Sequence, residues 1–307
     1  MPVEGASQSE EEWLKRFRRL ASSSQGILSD ENLLGSPFDG YAKALQRVSA
    51  FNDVMDGRSI SFVAYVRPQP QWLESLYLQG IQQGNSESPA EFLDRILGAP
   101  NLQWSILGTV IRDEIGADSL DLRPYSSCDV VEDFFRSQSL GSPPPFPRDG
   151  LRINRSIAPI QGPILRDLLS DPNLESSDKL RIRRAFQSLL ATGATIGFSC
   201  FNEAQQKEMR DVLSKDLVAL KRSGLMATEA LDAYGREVAK VKAEQLIPWA
   251  EGPEADEAVR LEALRCLQVL AARVPAEDTL WSRTIKRIRS DRMGALHSLR
   301  RRIGRAI

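Results

Sequence analysis

The sequence predicts an α/β fold, with a parallel sheet in the first half of the chain and a helical second half. Three observations carry this reading. Residues 59–66, SISFVAYV, form a continuous apolar and β-branched run, the pattern of a strand buried on both faces of a parallel sheet. Segments of helical periodicity alternate with this run and with a second one, SLDLRPYS at 119–126. The stretch GSPPPFPRD at 141–149 then breaks regular structure with four prolines, and beyond it only helical patterns recur.

Each element follows from its own residues. EEEWLKRFRRLA at 10–21 spaces Trp13, Phe17 and Leu20 as one helical face, and GILSDENLLGSP at 26–37 reads as a strand end entering a loop. YAKALQRVSAFNDVM at 41–55 places Tyr41, Leu45, Val48 and Phe51 on one side of a helix. After the first strand a helix starts near Pro70, with Trp72, Leu73, Leu76, Tyr77 and Ile81 on its apolar face and Ser75 on the flank beside Gln71, Leu78 and Gln79. SPAEFLDRIL at 88–97 opens with Ser88 as N-cap and Pro89 at the first helical position. LQWSILGTVIRDEIG at 102–116 is an amphipathic helix closed by Gly116, and CDVVEDFFRSQSLG at 128–141 presents Val130, Val131, Phe134 and Phe135. The helical half comprises patterns at 156–170, 178–190, 201–224, 228–246, 256–274 and 279–303. The glycine cluster ATGATIGFS at 191–199 reads as a turn. Three segments result: a partial α/β core at 1–150, its helical continuation at 151–230, and a helical extension with a basic end at 231–307.

Composition limits the chemistry. The 307 residues carry 40 Lys and Arg against 41 Asp and Glu, so net charge names no partner. Cys128, Cys200 and Cys266 are far apart and make no CxxC pair, which fits reduced thiols in a cytoplasmic protein without a structural metal. The polar, acidic start is not that of a signal peptide, and no apolar run approaches the roughly 20 residues that cross a bilayer. His297 is the single histidine, which removes Ser-His-Asp and Cys-His catalysis and multi-histidine metal sites. Chemistry is left to carboxylates, hydroxyls, lysines and arginines.

Ligands of open α/β sheets bind at the carboxyl ends of strands, where following helices offer N–H groups to anions. Arg67 stands at such an end, with a guanidinium able to grip a phosphate through two hydrogen bonds, and Ser75 lies little more than one turn into the next helix. The alternative is that Arg67 neutralises a nearby carboxylate and Ser75 is solvated. Arg123 repeats the strand-end pattern, either contacting a substrate anion or pairing with Asp121 or Glu132. Asp30 and Glu31, at the end of the first expected strand, are the candidate general bases, with a turn or helix cap in SDEN as the other reading. Lys43 faces either the site or solvent.

At these residues the chain resembles a family. YVRPQPQWLESLYLQGIQQG at 65–84 is similar to the arginine-to-serine segment of the nucleotide-dependent sulfotransferases, in particular bacterial members related to carbohydrate sulfotransferases. ILSDENL at 27–33 resembles the SSE-like turn preceding that segment, 88–97 the helix following it, 119–141 the later strand and helix, and RINRSIAPIQGPILRDLL at 152–169 the N-x-S region. The likeness runs from about Gly26 to Arg222. It implies a P-loop-type parallel sheet, 3′-phosphoadenosine-5′-phosphosulfate (PAPS) as cofactor, and a carbohydrate hydroxyl as acceptor. Arg67 and Ser75 would hold the 3′-phosphate of the donor.

The family begins with a strand and a phosphate-binding loop similar to KTGTT, and this chain contains no such arrangement. The sheet is therefore expected to be incomplete at its N-terminal strand. The chain is expected to be a truncated enzyme, a diverged homologue that binds without catalysing, or one that supplies the missing charge elsewhere. A truncated sheet edge is expected to favour homo-oligomers. The segment 281–305 gathers Arg283, Lys286, Arg287, Arg289, Arg292, Arg300, Arg301, Arg302 and Arg305 around a single acid, Asp291, on an amphipathic helix. That helix either engages an anionic partner or packs on the helical half with its arginines paired to acidic stretches of the chain.

Overall fold

The computed structural model describes residues 33–55, 58–116, 120–125, 129–143, 157–170, 175–187, 197–244 and 246–248, with 15, 18, 27, 262, 265 and 266 as isolated positions. Apart from 15, 18 and 27, the expected helix at 10–21 and residues 26–32 of the expected segment 26–37 lie outside them, as do the proline-rich stretch beyond 143 and the basic segment 281–305. The described chain is a mixed fold of helices with two small parallel strand pairs. It divides into two compact units, each discontinuous in sequence: Met1–Gln69, Arg95–Pro144 and Arg210–Val241 form the first, and Pro70–Asp94, Pro145–Met209 and Lys242–Ile307 the second. Both draw on all three segments read from the sequence.

In the first unit, helix α1 (Ala44–Val54) precedes strand β1 (Phe62–Val66), and helix α4 (Trp104–Ile115) precedes strand β2 (Leu120–Pro124). The two strands pair in parallel, with Phe62 opposite Leu120 and Val66 opposite Pro124. Period-two alternation then puts Phe62, Ala64, Val66, Leu122 and Pro124 on one face, and Val63, Tyr65, Asp121 and Arg123 on the other. The first face packs on α4 at Gly108, where an added Cβ would stand 2.9 Å from Leu122 Cδ1 and 3.0 Å from Leu225 Cδ1. Glycine there lets helix and strand approach closely, and α1 packs against the same helix. Gly116, at φ 100°, terminates α4 as expected.

Three expectations in this unit are corrected. Strand β1 is buried only at its ends, Phe62 and Val66, because its second face meets a polar cluster. Asp133, on helix α5 (Val130–Ser137), accepts from the Tyr65 hydroxyl at 2.8 Å and from the Arg123 guanidinium, so α5 turns its polar side to the sheet. Val130, Val131, Phe134 and Phe135 consequently form no buried face, and Val131 is 42% exposed. In α1 the buried stripe is Ala44, Val48 and Phe51, continued by Met55, while Leu45 is 56% exposed. The helix begins only at Ala44, after Tyr41 in the left-handed region at φ 58°, and Leu45 falls about 100° from the stripe.

In the second unit lie most of helix α2 (Gln69–Gln83) and the start of α3 (Pro89–Leu97), together with α6 (Gln161–Leu169) and α7 (Ser176–Gln187). Ser88 caps α3 as read from the sequence: its hydroxyl accepts from Glu91 N at 3.2 Å, and the Glu91 carboxylate accepts from Ser88 N at 2.7 Å, a capping box. Leu73, Leu76, Tyr77 and Ile81 of α2 are buried as expected. So is Leu78, which the helical wheel places on the flank; it meets α6 at Gly162, where a Cβ would stand 2.7 Å from Leu78 Cδ2. The rings of Tyr77, Phe92 and Phe201 cluster with centroids 5.3–6.3 Å apart. A further correction is a two-residue parallel bridge, β3 (Phe198–Ser199) with β4 (Ile247–Pro248), in a half read as wholly helical. The long helices α8 (Glu203–Ser223) and α9 (Thr228–Ala243) each contribute residues to both units.

Glu74 on α2 accepts a 2.7 Å hydrogen bond from Cys200 N, just after β3. Burial raises its pKa to about 7, further raised by Glu244 and opposed by the Cys200 N–H and the Ser199 hydroxyl.

Two outcomes follow for stability. Gly40 lies in the left-handed region at φ 62°, and an added Cβ would stand 2.1 Å from Ala99 Cβ. Gly40→Ala is expected to lower the urea-derived unfolding free energy by at least about 2 kcal/mol, through strain and displacement together. For Glu74 the folded carboxyl releases its proton near pH 7 and the unfolded one near 4.5, so its contribution to stability declines as pH rises through that window and stays low above it. Glu74→Gln should therefore gain about 2 to 3 kcal/mol over the wild type between pH 4.5 and 8. An unchanged difference at the two pH values would show that Glu74 titrates normally.

Candidate functional site

Parallel pairing of β1 and β2 brings the residues after both strands to one edge. Arg67 follows Val66, Tyr125 follows Pro124, and Tyr125 N donates to Val66 O at 2.9 Å. The Arg67 guanidinium carbon lies 3.7 Å from the centroid of the Tyr125 ring, a stacked cation–π contact. At its other end the Arg67 carbonyl accepts from the Trp104 indole Nε1 at 2.6 Å. Arg67 is half-buried and, among the described residues, has no carboxylate partner. A guanidinium lying on a ring keeps its N–H edge for acceptors beyond the ring, and the ring leaves its charge in place.

The position of Trp104 is set by Asp216 of α8, whose residue is wholly buried. Gln103, the N-cap of α4, makes no side-chain capping bond. Asp216 replaces it from another helix: Oδ2 accepts from Trp104 N at 3.0 Å and Oδ1 from Ser105 N at 2.9 Å. Gln69 Nε2 donates to Oδ2 as well. The negative charge thus stands at the positive end of the helix, where it satisfies N–H groups left without intrahelical partners. Tyr234 is buried nearby, and burial together with Asp216 pushes its phenol well above the usual range.

The other expected site residues are placed differently. Ser75 is half-buried at the seventh position of α2 and belongs to the second unit, whereas Arg67 belongs to the first. Arg123 takes its ion-pair reading, with Asp121 as expected and with Asp133 in place of Glu132. Its Nη2 donates to Asp133 Oδ1 and its Nη1 to Asp121 Oδ2, each at 2.8 Å, and its Nε to Asp133 Oδ2. The guanidinium and the Tyr65 hydroxyl hold the Asp133 carboxyl below the usual carboxylate range. With three donors engaged by two acids, Arg123 has lost most of its capacity for an external anion, and Glu132 is not its partner. Asp30 and Glu31 lie outside the described residues.

Trp104, Tyr125 and Asp216 are absent from the residues singled out in the sequence. Tyr125 was detectable in principle, since it follows the second strand as Arg67 follows the first. Asp216 carries no local signal, because its role depends on helices over one hundred residues apart. Among the described residues no group of three or more His, Cys, Asp or Glu could hold a metal ion, and no helix is long and apolar enough to cross a membrane. No protein-family model, curated protein or solved structure matches the chain significantly.

Removing the Asp216 carboxylate leaves two helix-terminal N–H groups and the Gln69 amide without their acceptor at a buried position. Asp216→Ala is expected to lower the urea-derived unfolding free energy by about 3 kcal/mol, since each buried group left unsatisfied costs about 1 to 3 kcal/mol. A loss below about 1 kcal/mol would mean that water replaces the carboxylate.

Proposed function

We propose that the protein is sulfotransferase-like and that Arg67 binds the 3′-phosphate of an adenosine 3′,5′-bisphosphate group, as carried by PAPS. One observation supports this most: an arginine at the carboxyl end of a parallel strand, held at its carbonyl by Trp104 and at its head by Tyr125, with no carboxylate partner among the described residues. The family resemblance extends the proposal to a P-loop-type sheet and to transfer of a sulfuryl group to a carbohydrate hydroxyl. Transfer of charged groups of this kind depends mostly on positioning and charge stabilisation, for which the family uses its glycine, lysine and threonine loop. Donor binding is therefore the part that this chain's own residues support, and binding without transfer is the second reading.

Calorimetric titration with adenosine 3′,5′-bisphosphate tests it. The wild-type chain is expected to bind, Arg67→Ala to bind about tenfold to a hundredfold more weakly, and adenosine 5′-monophosphate to bind at least tenfold more weakly than the bisphosphate. Equal binding of the two nucleotides, or no effect of Arg67→Ala, would remove the 3′-phosphate from the reading.

A further inference from the structure

We propose that Asp216 is a positioning residue for Arg67, setting through Trp104 and Gln69 where the guanidinium stands. The functional consequence rests on the anion-binding reading above; the positional claim does not.

The geometry is a closed ring. The Arg67 carbonyl accepts from Trp104 Nε1 at 2.6 Å, Trp104 N donates to Asp216 Oδ2 at 3.0 Å, and Gln69 Nε2 donates to that same oxygen. Gln69 is two residues from Arg67 along the chain, so the ring returns to its start through Pro68. Pro68 is buried and its ring fixes φ, which removes one of the few torsions by which the segment could turn. One carboxylate from α8 thereby holds the backbone on both sides of the bend after β1.

The remaining link is the shelf. Tyr125 is tied to β1 through its N–H, and its ring carries the guanidinium. The indole bond to the Arg67 carbonyl restrains the backbone at Arg67, including φ, the torsion that carries both the carbonyl and the side chain lying on the Tyr125 ring. Without the indole N–H that restraint on φ is lost, and rotation about φ takes the side chain off the ring. A guanidinium released to rotate must be ordered again whenever it binds an anion, which weakens binding. Asp216 is suited to this position because its described partners are neutral donors: no Lys or Arg among the described residues pairs with it, so its charge stays directed at the α4 terminus. Tyr234, protonated and buried beside it, adds no second charge.

The test uses the full chain with Trp104→Phe, which keeps an aromatic ring and removes the N–H, and Asp216→Asn, which keeps one acceptor oxygen. Tyr125→Leu identifies the ring-current shift of the Arg67 side-chain resonances in NMR spectra. Trp104→Phe is expected to abolish that shift in a protein that remains folded by circular dichroism, and Asp216→Asn to reduce it. Both should bind adenosine 3′,5′-bisphosphate about five- to tenfold more weakly than the wild type, the value of one lost hydrogen bond. An unchanged ring-current shift in Trp104→Phe overturns the proposal whatever the titration gives. A shift that disappears in Trp104→Phe and falls in Asp216→Asn while the wild-type chain fails to bind the bisphosphate upholds Asp216 as the residue that places Arg67 and refutes only the phosphate reading; an unchanged shift in Asp216→Asn overturns the role of Asp216.

Discussion

The arrangement of the first unit depends on a buried carboxylate that has no cation partner among the described residues. Taking an ionised aspartate out of water is costly, and the interior compensates only where several donors converge with good geometry. Asp216 meets that condition with two backbone N–H groups and one amide, and the N–H groups belong to a helix terminus whose own N-cap residue leaves them unsatisfied. Both sides of the interaction therefore need each other. Helix α4, seated this way, is the surface on which the rest is laid: Leu122 of β2 and Leu225 close on Gly108, and α1 packs against the same helix. The strands pair on that surface, and their carboxyl ends bring Arg67 to Tyr125.

Much of this was legible in the sequence where the cause is local. The β-branched run ending at Val66, the Ser88 and Pro89 start, the Gly116 stop and the strand at 120–124 all report preferences of a few neighbouring residues, and each element forms. Leu45 and the α5 residues Val130 and Val131 show where that reasoning stops. Apolar spacing predicts a face, but which face turns inward is decided by what lies opposite, and opposite α5 lie Tyr65 and Arg123 rather than a core. Leu78 shows the converse, a residue off the apolar stripe that is buried because α6 offers a glycine there. The candidate site divides in the same way. Arg67 was visible as a charge ending an apolar strand; Asp216 was not, since a lone aspartate in a helix gives no sign of a terminus far away in sequence.

Two arginines near the carboxyl end of the same strand pair give the clearest chemical contrast. Arg123 lies on the polar face and donates to both Asp121 and Asp133, each carboxylate within 2.8 Å, so its charge is neutralised and three of its five N–H donors are used. Arg67 has an aromatic face and a carbonyl bond instead. A cation–π contact is worth about 0.5 to 2 kcal/mol and fixes a plane, but it accepts none of the five N–H groups and cancels no charge. The two residues thus share a type and a strand-end sequence context while differing in what remains of them. Among the described residues Arg67 is thus held by a ring and a carbonyl bond without a carboxylate, whereas Arg123 is held by two carboxylates, and this difference is the one on which the anion-binding proposal for Arg67 rests.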